Sequence, residues 1–500
     1  MSIRNSLVAF TGVAALSAAA FAPIVSSTAD LADGKARAAA AGILDVSDEM
    51  LASQLAVADD LELVDCVVGV AGPFYCDNVN LVDTVPTAGF GGGHGSDSWG
   101  WTDEDGTEYA IVTSGVGTGF FRLKADGTTS YLGSLERSQT RDSLLWNDPK
   151  VVNDHAYITS EDSSFGMQIV DLKAVATLTE IPLGTGAGVI EQAGFVTAGG
   201  GHNLVAFEER DIIAMTIAED ATCGGGIVFY DVQDTKETEP ELLGCVGGSQ
   251  DPWLKGSTHD AQCVTYFGPD ADYNGAGIDG DLGTEDDVDA SDICLMFQED
   301  SGVFVIDVSA ITRDRAPGGQ ATMLTRFTYD TINYTHQGWF TEDQRWVLFN
   351  DELDESGAAA RALGGRGSQN QFTTTYWVDL ADLDVGAAMA AGPYPDVNEK
   401  LVNSWSNENT LAIDHNMYVV GNLLYQANYG AGLRVLEFST ESLESGDGFK
   451  EVAYFDTYPG PGASEFYGAW SVYPFFESGN IILSDFQSGL LVLDVTLDEG

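Results

Sequence analysis

The chain has 500 residues, with 77 Asp and Glu against 21 Lys and Arg, a formal charge of −56. That charge repels nucleic acid and anionic membrane surfaces and leaves cations as the natural partners. A hydrophobic fraction of 44% with 10% aromatics supplies a core, and 58 glycines against 14 prolines point to many tight turns and exclude a disordered chain.

In chain order, "MSIRNSLVAFTGVAALSAAAFAPIVSSTAD" combines a basic Arg4, an apolar run to about Val25 and small residues at Ser27-Thr28-Ala29, and residues 1–29 read as a cleavable secretory signal. No later stretch is apolar over about 18 residues, so no membrane insertion is expected. The chain ends "LLVLDVTLDEG" without a hydrophobic tail. The expectation is a secreted or cell-surface protein. Residues 30–77 read as an N-terminal leader clipped by Cys66–Cys76.

From residue 78 onward one supersecondary unit recurs. After His415 the chain reads "NMYVV", "NLLYQANY", "AGLRVLEFS" and "KEVAYFDTY", four strand-like pieces separated by turns. The copy at Asp97 supplies "SWGWTDED", "EYAIVTSG", "GFFRL" and "TTSYLGSL", and the next supplies "DPKVV", "HAYITSE", "GMQIVDL" and "ATLTEIPL". The third piece is the clearest marker: "GMQIVDL", "GGIVFYDV", "GVFVIDV", "GLRVLEF" and "GLLVLDV" share Gly, alternating apolar residues and an acid.

Anchors at Asp97, Asp148, His202, His259, His336, His415 and Ala469 give seven copies, spaced 51 to 79 residues apart. Seven four-strand units predict an all-β chain, a seven-bladed β-propeller over 78–500. The last copy lacks its outer strand, an open edge that folds avoid. "NVNLVDTV" at 78–85 resembles the missing piece and is expected to close the ring beside "GLLVLDV".

Six cysteines in an exported chain are expected to pair. Fifteen pairings are possible, and the strand assignment favours three local ones. Cys263 and Cys294 fall on the first two strands of one copy, Cys223 precedes a third strand whose fourth carries Cys245, and Cys66 is left with Cys76.

The words "SDSWGWTDEDGTEYAIV", "THDAQCVTYFGPDADY", "YTHQGWFTEDQRWVLFNDELDE" and "DHNMYVVGNLLYQANYGAGLRVLEF", with the six-cysteine order, resemble the choice-of-anchor B family, exported bacterial proteins whose repeats are named for a Leu-Val-Ile-Val-Asp consensus. The resemblance covers roughly residues 60 to 495. It implies an exported propeller and brings no catalytic residues. The chain departs from the family pattern in showing no recognisable anchoring signal and in carrying the longer acidic stretch "NGAGIDGDLGTEDDVDASD".

In a propeller the first strand of each blade lines the central channel. The repeated His words therefore ring one mouth, together with Glu161-Asp162, Glu219-Asp220, Glu299-Asp300 and "NDELDE" at 350–355 from the loops joining second and third strands. The ligand candidates there are Asp97, Asp148, His202, His259, Asp260, His336, Gln337, His415 and Asn416. Two readings compete. In one these residues only start inner strands and bond to neighbouring blades; in the other they form a funnel for a cation or a small polar ligand.

On the opposite face, "DADYNGAGIDGD" sets Asp270, Asp272 and Asn274 at alternate positions, then Gly275, Asp279 and Asp281. This approaches the oxygen-rich spacing of a calcium loop, although Ile278 and a final Asp depart from it and strands replace the flanking helices. A solvated acidic loop is the competing reading. "GAGIDG" joins no strand to a helix, so no dinucleotide site is expected, and no nucleophile motif or organic cofactor signature is present.

The expected function is an exported, non-enzymatic binding or scaffold propeller, calcium-stabilised, whose partner is a cation, a surface protein or a polar small ligand. The alternative is a metal-dependent hydrolase or lyase with its site at the channel mouth.

Overall fold

The structure, a computed structural model, describes residues 64–497 except 139–145, 163, 187, 198, 219–222, 234–239, 248–250, 252–253, 255–256, 278–279, 281, 285–286, 317, 356–369, 371, 385–401 and 459–465. The proposed signal segment lies outside the described residues.

Seven antiparallel sheets of four strands or more follow one another along the chain, forming a seven-bladed β-propeller. The inner strands of blades 1 to 7 are Gly95–Thr102, Asn147–Val152, Leu204–Phe207, Asp260–Thr265, Thr335–Phe340, Met417–Val420 and Ala469–Tyr473. Each lies against the next, and that of blade 7 lies against that of blade 1, so the ring is closed. Both faces of a blade pack on neighbours, so its middle strands are apolar runs rather than alternating ones. Gly302–Asp307 (GVFVID), for example, is buried at every residue but the last. Between blades 3 and 4 the core is built from Val205, Phe207, Ile212 and Phe229 against Ala261, Met296, Phe304 and Ile306.

The glycine that opens the third strand of every blade but the fifth, where Thr374–Asp379 follows Thr373, has a steric cause. At Gly302 φ is +92°, and an added Cβ would lie 2.0 Å from the Phe327 carbonyl oxygen of the fourth strand. Gly166, Gly432 and Gly489 stand in the same conformation against the same neighbour, a position that excludes other L residues.

The ring closes as the sequence predicts. Val79–Val85 pairs with Gly489–Val495, Val79 opposite Val495 and Val85 opposite Leu490. The residues just before it have a further role: Val70–Ala71 and Phe74–Asp77 form a hairpin whose second strand pairs with Lys450–Asp456, Tyr75 opposite Asp456, and widens blade 6 to six strands.

Blade 2 corrects one expectation. "ATLTEIPL" is not its fourth strand; Gly194–Val196 is. Residues 172–176 turn helical, capped by Asp171 accepting from the Ala174 N–H. Pro182, which has no N–H to give a ladder, and Gly184, Gly186 and Gly188 at positive φ then carry the chain along the outer strand of blade 1, where Ile181 N–H donates to Tyr131 O at 2.9 Å.

The three disulfides are Cys66–Cys76, Cys223–Cys245 and Cys263–Cys294. Cys263 and Cys294 stand directly opposite each other on adjacent strands, with Cα atoms 4.1 Å apart. Their link closes a loop spanning 31 residues of sequence separation, so replacing both by Ser is expected to cost about 3–4 kcal/mol. A urea midpoint unchanged by the double replacement would contradict this. Among the described residues no helix is long and apolar enough to cross a membrane.

Candidate functional site at the channel mouth

The four repeated histidines form a file. Neighbouring ring centroids are 4.2 Å apart for His202–His259 and for His259–His336, and 4.3 Å for His336–His415. His415 continues to Trp470 at 4.4 Å, and Trp470 stacks on Trp146 at 4.3 Å. Six rings thus follow the mouth. Each histidine lies at the start of an inner strand, where the radial arrangement of blades brings residues 57 to 79 apart in sequence into contact.

The aligned position in blades 1, 2 and 7 is Ser96, Asn147 and Trp470, one residue away from the Asp97, Asp148 and Ala469 anchors. Asp97 and Asp148 instead align with the residues that follow the histidines and lie one level deeper in the channel. There Lys150 pairs with Asp148, with Asp97 and Asp260 close by. Burial alone would push the Lys150 ammonium down in pKa, but these carboxylates outweigh it and its value rises. The Asn416 amide donates to Asp97 Oδ2 at 3.1 Å.

The same residues fasten blade to blade. Asp148 Oδ2 accepts from Leu204 N–H at 2.5 Å, and Gln337 Oε1 accepts from Met417 N–H at 2.9 Å. His259 Nδ1 donates to His336 O at 3.0 Å, and His415 Nδ1 to Trp470 O at 2.5 Å. A carbonyl only accepts, so Nδ1 carries the proton in both rings and Nε2 is left with its lone pair. The clasping role and a ligand role are therefore compatible: one nitrogen holds the ring, the other is free.

His336 differs. It is 1% exposed, and neither ring nitrogen makes a well-formed hydrogen bond, the Asn350 side chain offering only a weak contact, a state that costs up to about 1–3 kcal/mol for a stranded polar group. Its Nε2 lies 4.0 Å from Glu352 Oε2, and His415 Nε2 lies 3.8 Å from Glu352 Oε1. The three ligand atoms fall within 4.8 Å of one another, the one such group of His, Cys, Asp and Glu among the described residues. Glu352 is steadied by the Tyr429 hydroxyl at 2.6 Å. A tetrahedral ion with bonds of about 2.0–2.1 Å holds its ligands about 3.4 Å apart, so pairs now 3.8 to 4.8 Å apart would close by about 0.4 to 1.4 Å to put all three on one ion and leave its fourth position open.

Burial shapes the charges here. It pushes His336 well below its ordinary value, helped by the neighbouring histidines, and His415 down to about 3, keeping both rings neutral. At His202 burial is outweighed by Glu161, whose carboxylate accepts from Nδ1 at 2.6 Å, and the pKa rises. Glu161, Glu299 and Glu352 therefore share the histidines' face, as the second-to-third-strand loops predict. Glu219 and Asp220 lie outside the described residues.

Burial raises Asp260 to about 7, against an unfolded value of about 3.9. Its native form holds its proton where the unfolded chain has lost it. The stability it contributes is present below pH about 4 and is lost as pH rises through about 7, on the order of 4 kcal/mol. An Asp260→Asn variant is expected to show a flatter fall in urea stability between pH 4 and 8 than the wild type; parallel curves would contradict the shift.

In the acidic loop of blade 4, which does connect its first two strands, Asp270 Oδ1 accepts from Asp272 N–H at 3.0 Å and Oδ2 from Leu383 N–H at 2.8 Å. Asn274 bonds Ala276 N–H and Gly268 O, while Asp272 is exposed. These side chains fold the loop and tie it to blade 5. Asp279 and Asp281 lie outside the described residues.

Sequence reasoning did not single out Glu352 within its acidic word, nor Trp470, Trp146, Tyr429 and Lys150. The signal for Trp470 was present, because "GAWSVYPF" sets Trp in the histidine's position.

No family model matches the chain, and no curated protein matches it. Solved structures do. A Bacteroides fragilis protein provisionally assigned as a 6-phosphogluconolactonase is 10% identical with a TM-score of 0.43, covering 77% of this chain and 89% of that one. A protein from Lactobacillus plantarum is 12% identical with a TM-score of 0.44, covering 81% and 96%. The Swd1 β-propeller domain from Myceliophteria thermophila is 10% identical with a TM-score of 0.43, covering 81% and 98%. Likeness at this level carries nothing about chemistry.

Proposed function

We propose that this chain is an exported, non-enzymatic binding propeller of the choice-of-anchor B kind whose channel mouth holds a transition-metal ion on His336, His415 and Glu352. The observation that carries the reading is His336, a buried imidazole with no well-formed hydrogen bond at either nitrogen, facing a carboxylate that a second, tautomer-fixed imidazole also faces. Two imidazoles and a carboxylate suit zinc or iron rather than a hard ion such as magnesium. Three disulfides and the signal-like start support export.

Three protein ligands leave a position on the ion for a small polar ligand, and the Glu161 and Glu352 side chains, 16% and 14% exposed, are among those of the mouth that solvent reaches. The same open position supports the second reading, a hydrolase or lyase in which a bound ion acts as Lewis acid. Elemental analysis of chain purified without added metal is expected to find close to one first-row transition-metal ion per molecule, and almost none in a His336→Gln/His415→Gln variant. Equal metal in both proteins would contradict the assignment. Metal-dependent turnover of ester or phosphoester substrates, lost in the same variant, would favour the enzyme.

A further inference from the structure

The aromatic end of the ring file has no duty in the metal triad. Trp146 enters from blade 2, passes over blade 1, where the aligned residue is the small Ser96, and stacks on Trp470 of blade 7, with ring centroids 4.3 Å and planes 18° apart. Trp470 in turn touches His415, with centroids 4.4 Å apart. Trp470 is 6% exposed, whereas Trp146 is only half-buried. One face of Trp146 is covered by Trp470, so solvent reaches its other face and its edge.

Both indole N–H groups are unspent. Neither has a hydrogen-bond partner among the described residues, and neither is sealed from solvent. Trp377 and Trp101 show the structural use of the same group: Trp377 donates to Leu443 O at 3.2 Å and Trp101 to Asp154 Oδ1 at 3.1 Å, as a tryptophan that fills a core ordinarily does. An acceptor stands beside the pair. Ser160 Oγ donates to Trp146 O at 3.0 Å, which places Glu161, the following residue, on the rim next to Trp146. Glu161 spends Oε1 on His202 Nδ1, and its Oε2 has no partner among the described residues.

We propose that the mouth takes a neutral carbohydrate, one sugar ring lying on the open face of Trp146 and its hydroxyls shared between the indole N–H groups and Glu161. The inference rests on the mouth being a binding site. Charge selects the class: Glu161, Glu352 and a formal charge of −56 oppose an anion, and an ion on the triad opposes a cation. A flat aromatic face with free donors and an acceptor at its edge fits a ring that presents C–H bonds on its face and hydroxyls around its rim, and a few placed polar groups beside aromatic walls are the usual make-up of a small-ligand site.

The test titrates the full mature chain with cellohexaose, maltohexaose and laminarihexaose, followed by tryptophan fluorescence and calorimetry, with a hexamer of galacturonate and tetramethylammonium as the charged comparisons. At least one neutral sugar is expected to bind with saturation and to shift the tryptophan emission. Trp146→Ala is expected to weaken that sugar by about tenfold or more at an unchanged Tm, and Trp146→Phe to keep most of the affinity, because a ring face remains. Metal content measured on the same samples reports on the ion separately: a metal-free protein that still binds a neutral sugar through Trp146 would leave this inference standing and remove only the ion. Saturable binding of none of the three sugars, an affinity unchanged in Trp146→Ala, or tighter binding of the galacturonate hexamer or of tetramethylammonium would each overturn it.

Discussion

A chain beginning at Gly95 is expected to lose the cooperative fold of the full protein. The deletion removes Val79–Val85, which pairs along Gly489–Val495 and buries Val79, Leu81, Val82 and Val85 to 4% exposure or less. At about 1.5–3 kcal/mol for each such side chain, the loss is about 6 kcal/mol or more, comparable with the whole net stability of many domains, about 5–15 kcal/mol. It also bares an apolar strand edge, which invites pairing between chains. Thermal unfolding followed by circular dichroism is expected to show a much lower, broadened transition, with aggregation. A Tm equal to that of the full chain would show that the ring does not depend on this strand.

Zinc is expected to stabilise the metal-free protein by about 2.7 kcal/mol at a hundredfold excess over Kd, because the triad exists only in the native state. The variants separate the two duties of the histidines. His336→Gln is expected to abolish the zinc response at little cost to the metal-free protein, since that ring has no well-formed hydrogen bond to lose. His415→Gln is expected to abolish the response and also cost about 0.5–1.5 kcal/mol for the lost bond to Trp470 O. His259→Gln is expected to show that stability cost while keeping the zinc response, because His259 clasps blade 5 without belonging to the triad. Denaturant melts of the three variants with and without zinc check all three outcomes.

The architecture was legible because its cause is local and repeated. A glycine set against the fourth strand's carbonyl, followed by apolar residues buried on both faces, writes the third strand in nearly the same letters in every blade but the fifth, and the incomplete last copy points to the strand that completes it. Blade 2 was misread because "ATLTEIPL" has strand-like composition; a capping Asp171 and three left-handed glycines decide its path, and their effect depends on the blade 1 edge they run along. The mouth was legible as a ring but not as a site. Which histidine clasps and which is free depends on contacts with carbonyls one blade away; Asp97 sits within a strand bulge between Gly95 and Ser98, whereas Asp148 reaches the same deeper level in a regular ladder. The pairing of Lys150 with Asp148 joins residues two apart on one strand, yet its burial beside Asp97 and Asp260 comes from three different blades.

The most direct test of the metal-binding mouth is a crystal of the full mature protein grown with zinc and measured at the zinc absorption edge. One strong anomalous peak is expected within about 2.0–2.2 Å of His336 Nε2, His415 Nε2 and a Glu352 carboxylate oxygen. An ordered map with no peak between these three atoms, or with zinc bound only elsewhere, would contradict the account.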